Sequence, residues 1–179
     1  KRLRKGRRPK SAWSPCNPPD IVFDALVSQY MKGELNAVVL RCQSLLREYP
    51  RSNTLDNLLG ATFAGLGRHE EAISHFKAAL KGRANEADLH NNIGLSQIAL
   101  GRAADAIFHF QQSLEYQPGV PEVLASLANA QRLAGNFDLA SETLSRRVGS
   151  LPVEKSSMRY MLNAGSQLKA IGKFEEALE

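Results

Sequence analysis

The stretch LLGATFAGLGRHEEAISHFKAAL (58–80) decides the fold. Leu59, Phe63 and Leu66 precede Gly67 at helical spacing, and Ala72, Phe76 and Leu80 follow it in the same way, so two amphipathic helices flank one glycine. The first helix needs a residue at its end that tolerates positive φ, and Gly67 supplies it. The unit is a helical hairpin. A second copy, NNIGLSQIALGRAADAIFHFQQSLEYQP, follows at 91–118.

Working outward, glycines recur at Gly33, Gly67, Gly101, Gly135 and Gly172, at spacings of 34, 34, 34 and 37. Five residues after each come Val38, Ala72, Ala106, Ala140 and Ala177; seven before each come Leu26, Gly60, Gly94, Ala128 and Gly165. Small residues in those two columns let the paired backbones approach closely. Cys42, Phe76, Phe110 and Leu144 stand nine after the glycine and fill the space below the crossing, while Pro50, Ala84, Pro118 and Pro152 stand seventeen after it. The prolines end the second helix and turn the chain towards the next pair.

Several columns recurring together at one period resemble the tetratricopeptide repeat family over residues 19–179. The resemblance implies an all-α fold: a right-handed superhelical solenoid of antiparallel helix pairs. We read four full repeats at about 19–52, 53–86, 87–120 and 121–157, and a partial fifth at 158–179 that breaks off after FEEALE. The natural chain is therefore expected to continue past Glu179. Val38, Leu26 and Cys42 depart from the pattern in the first repeat, as in a degenerate terminal cap. Gln29, Gln97 and Gln131 replace a usual aromatic four before the glycine. Three extra residues within 152–160 imply a longer turn or an extended helix before the fifth repeat.

Residues 1–18 form a basic, Pro-rich, irregular arm. The chain of 179 residues carries a net charge of +5, yet residues 1–10 alone hold seven Lys or Arg and no acid, leaving 16 bases against 18 acids elsewhere. A basic total that resides in one arm makes nucleic acid the lesser partner reading, resting on residues 1–10 with Trp13 as a stacking ring. No apolar run reaches the length of a membrane span, and no apolar stretch follows the basic residues as an export signal would. Cys16 and Cys42 have neither disulfide-framework nor zinc-ligand spacing and suit a reducing, cytoplasmic setting.

Catalysis is not expected of this segment, nor a cofactor or a metal. The serines lack a nucleophile elbow, and Gly60, Gly94 and Gly165 are packing residues rather than a phosphate cradle. His75 and His109 stand one repeat apart, where stacked second helices could bring them near one another, yet no Cys or acid repeats with them at ligand spacing, so they read as repeat-consensus surface residues.

What remains is surface, and the family resemblance puts the first helices along a concave groove. The resemblance assigns Asn57, Asn91, Asn92, Leu95, Ile98, Asn129, Arg132, Leu133 and Asn163 to that groove, where the asparagines pair with a peptide backbone and Leu95, Ile98 and Leu133 make apolar contacts. Asn92 and Asn163 fall in the column that forms an asparagine ladder in glycosyltransferases of the O-linked N-acetylglucosamine type, with Leu58 and Ser126 interrupting it here. Ala125 stands where a carboxylate clamp requires Lys, so that mode is rejected. The resulting expectation is a protein-interaction scaffold that binds a peptide segment or partner helix, with self-association through the solenoid ends as a further contact. The alternative is a substrate-recruiting region ahead of a sulfotransferase or glycosyltransferase.

Overall fold

A computed structural model describes residues 16–82 and 85–150, the side chains of the last four excepted. The described part is helical and contains no strand. In order the helices are α1 (Asp20–Met31), α2 (Leu35–Glu48), α3 (Asn53–Gly65), α4 (His69–Leu80), α5 (Glu86–Ala99), α6 (Ala103–Tyr116), α7 (Pro121–Leu133) and α8 (Phe137–Ser150). They form four hairpins in line. The fifth repeat and Asn163 lie outside the described residues, as do the first fifteen residues of the arm.

One turn is used four times. Gly33, Gly67, Gly101 and Gly135 take φ of +78°, +74°, +73° and +80°, the left-handed region open to glycine. At the second turn the Gly67 N–H donates to the Ala64 carbonyl at 3.0 Å and the Arg68 N–H to the Phe63 carbonyl at 2.9 Å. The same pair of bonds recurs at the other three turns. This double closure satisfies carbonyls that the helix end would otherwise leave unpaired, and it fixes the angle at which the second helix leaves.

Phe63, Phe76 and Phe110 are fully buried, with Leu26, Leu55, Leu59, Leu89 and Ile93. Full burial of one such side chain is worth about 1.5–3 kcal/mol. The close approach read from the small column is real: a Cβ added to Gly60 would lie 2.5 Å from two ring carbons of Phe76, and one added to Gly94 would lie 2.7 Å from Phe110. Each ring occupies the space that its glycine leaves.

Every helix packs on its chain neighbours, and beyond these α3 meets α5 and α5 meets α7. The first helices of successive hairpins therefore form the inner layer and the second helices the outer one. Among the described residues no helix is long and apolar enough to cross a membrane.

Candidate docking groove

The inner layer contains a concave bay of about 240 Å³ between α3 and α5. Ala61, Ala64 and Gly65 of α3 give it a floor that stays open because their side chains are small. Asn92, Leu95 and Ser96 of α5 form one wall, Tyr30 of α1 stands opposite, Phe76 closes the bottom, and His69 lies at the end where α4 begins. The Ser96 hydroxyl donates to the Asn92 carbonyl at 2.9 Å, so it is turned onto its own helix. Nδ1 of His69 is buried and has no hydrogen-bond partner.

Of the residues expected in the groove, Asn92 and Leu95 meet in this bay, and Leu95 is 46% exposed. Asn57 and Asn91 are half-buried on the same helices, outside its lining. On α7, Arg132 donates to the Asn129 side-chain oxygen at 2.9 Å, so the two occupy each other, while Leu133 is exposed beside them. Ile98 is half-buried and packs against the cluster of Ala106, Phe110, Val123, Leu127 and Ala130, so the core already engages this side chain. Tyr30, Gly65 and His69 were not foreseen. Tyr30 stands three before Gly33, in the column of Ala64, Ile98 and Arg132, and extending that column into the first repeat would have found it.

The histidines do not stack along the outer layer. His75 Nδ1 lies 2.9 Å from Asp56 Oδ1, and its ring stacks on Phe63 at 5.4 Å. His109 instead meets His90, Nδ1 to Nδ1 at 2.9 Å. Each second-helix histidine thus turns to the first helix of its own hairpin, because antiparallel packing brings that column nearer than the next hairpin's outer helix. Burial pushes the His109 ring down to about 4, aided by the neighbouring His90 and Lys77, and burial also lowers His90. Among the described residues no group of three or more His, Cys, Asp or Glu is poised to hold a metal.

Two family models, each described as tetratricopeptide repeat, match residues 51–119 and 97–155, together more than half of the chain. Among solved structures, MamA from Desulfovibrio magneticus has a TM-score of 0.75 at 14% identity, over 89% of this chain and 88% of its own. YrrB, described as a TPR protein with an unusual peptide-binding site, has a TM-score of 0.70 at 17% identity, over 87% and 79%. A thermophilic TPR protein of Thermus thermophilus gives 0.67 at 21%, over 85% and 82%. At these identities the likeness is one of fold. No curated protein matches the chain. None of the matches named here is described as a transferase, so the recruiting-region alternative gains no support.

Proposed function

Because this chain belongs to the tetratricopeptide repeat family, whose hairpin arrays serve as protein-interaction scaffolds, we propose that it holds an extended peptide segment of a partner protein along its inner layer. The carrying observation is the α3–α5 bay: an apolar hollow large enough for one leucine- or phenylalanine-sized side chain, rimmed by Asn92. The amide of Asn92 both donates and accepts, which suits it to the backbone of the residue whose side chain enters the bay. Asn57, Asn91, Leu133 and the Asn129–Arg132 pair extend the track on either side, with Asn163 in the column of Asn92 further along. We infer a cytoplasmic setting from the two free thiols, Cys16 exposed and Cys42 buried.

The test is selection of peptides from a random display library on the whole chain, followed by affinity measurement against variants. Ala61→Trp fills the bay and is expected to weaken the selected peptides by about tenfold or more, with Asn92→Ala weakening them less. Peptides that bind both variants as tightly as the parent would remove the bay from the mechanism.

A further inference from the structure

The first helix of the array is open where the first helix of every later hairpin is closed. Each of α3, α5 and α7 packs on the second helix of the hairpin before it, as Val123 and Leu127 of α7 do against Ala106 and Phe110 of α6. Two columns recur on this side of the first helices, one with Leu55, Leu89 and Val123, the other with Leu59, Ile93 and Leu127, and all six side chains are buried. In α1 the same columns hold Ile21 and Ala25, and both are exposed, Ile21 by 80%. Among the described residues no hairpin precedes α1 to cover them.

The terminal hairpin of a solenoid that stays monomeric presents a polar outer face. The open face of α1 is instead apolar at Ile21 and at Met31, which is 78% exposed, with the small Ala25 and Ser28 between them. Asp20, Asp24 and Lys32 are exposed as well, and helical spacing joins all of these positions into one stripe. Charge is divided along it, acidic at the start of α1 and basic just past its last residue. The stripe is also balanced about Leu26: Ile21 and Met31 stand five residues to either side, and Asp20 and Lys32 six. Such a pattern complements a reversed copy of itself.

We propose that two copies of this chain pair through α1, with the two helices antiparallel. Ile21 of each copy meets Met31 of the other, Asp20 lies beside Lys32, and the helices cross at Ala25 and Ser28, whose small side chains permit close approach. A parallel pair would set Asp20 against Asp20 and Lys32 against Lys32, and would root both basic arms at one place. The antiparallel pair opposes the helix dipoles and sets the two points of entry into α1 about 18 Å apart, since the helix has 12 residues. One short helix from each copy makes a small interface, so the pairing is reversible, with a dissociation constant on the order of 10–100 µM.

The experiment is sedimentation equilibrium of the whole chain from about 5 to about 500 µM at low salt, where charge pairing is least screened. The parent should pass from monomer to dimer, and Ala25→Lys, which puts a charge at the crossing, should weaken pairing by about tenfold or more with an unchanged circular-dichroism spectrum. Two charge variants test the orientation without disturbing the crossing. Asp20→Lys and Lys32→Asp should each weaken self-pairing by about fivefold, because each sets like charges together twice. Mixed in equal amounts, the two variants should pair with one another about as well as the parent does with itself, since both contacts are then opposite in sign. A parent that stays monomeric throughout overturns the proposal, and so does a dimer indifferent to Ala25→Lys, as one formed through another surface would be. Should Ala25→Lys fail to fold, the mixture decides: charge variants that do not rescue one another overturn the antiparallel pair.

Discussion

Gly60 and Gly67 are both glycines for structural reasons, but the reasons differ, and mutation separates them. At Gly60 a methyl group would strike the Phe76 ring, whereas at Gly67 nothing lies within 4 Å of a new Cβ and only the φ of +74° resists it. Gly60→Ala should cost about 1–3 kcal/mol through overpacking, and Gly67→Ala about 1 kcal/mol through backbone strain. Phe76→Leu should recover part of the first loss and none of the second, as read from urea midpoints of the two double variants. A third residue-scale case has the opposite sign. Gln97 and Gln131 are buried, 7% and 4% exposed, and their side-chain oxygens have no partner. Gln131→Leu should therefore stabilise the chain by about 1 kcal/mol, since a lone buried acceptor is replaced by a side chain of similar size. Both glycines were legible from their column. The glutamines were legible as the occupants of a usual aromatic column, but their unpaired side-chain oxygens were not, because hydrogen-bond partners depend on the crossing of neighbouring helices and not on the repeat period.

At the scale of the helical pair, the histidines of α5 and α6 make stability depend on pH. His109 holds no proton until pH falls to about 4, while an unfolded histidine takes one up near 6.5. Between those values the unfolded chain binds more protons than the folded one, so stability falls as the solution is acidified through that window and is level above it. His90 is lowered in the same sense. Melting temperatures of the parent should drop from pH 7 to pH 5, and the His90→Leu, His109→Thr variant should drop less; parallel curves would refute this account. This pairing could not be read from the repeat period. A 34-residue spacing relates equivalent positions on successive hairpins, whereas contacts inside a hairpin join positions 19 apart, and only the crossing of the two helices shows which columns face each other. The groove shows the same limit. Its columns, with Asn92 and Leu95, were readable, but the bay also takes Tyr30 from α1 into its lining beside Ala64 and Gly65, which only the packing of three hairpins shows.

For the whole molecule, packing between chain neighbours implies that stability is distributed along the array rather than shared equally. One apolar cluster runs from Leu26 through Phe63 and Phe76 to Ile93, and a second joins Ala106, Phe110, Val123, Leu127 and Ala130. The division falls within the α5–α6 hairpin, where His90, Ser96, Gln97 and His109 put polar atoms among apolar ones. At the N-terminal end, Leu26 is the one fully buried side chain of α1, and it anchors that helix to the first cluster. Leu26→Ala removes this anchor and leaves a cavity, at a cost of about 2–5 kcal/mol if the whole chain must unfold together. In a one-dimensional array the loss stays local: α1 should separate and exchange its amide hydrogens fast, α2 should lose protection in part, and α6 and α7 should keep theirs. Hydrogen exchange read helix by helix decides between the two. A loss of protection spread evenly from α1 to α8 would show one cooperative unit, and the inner layer would then be a single rigid surface instead of a row of separately held segments.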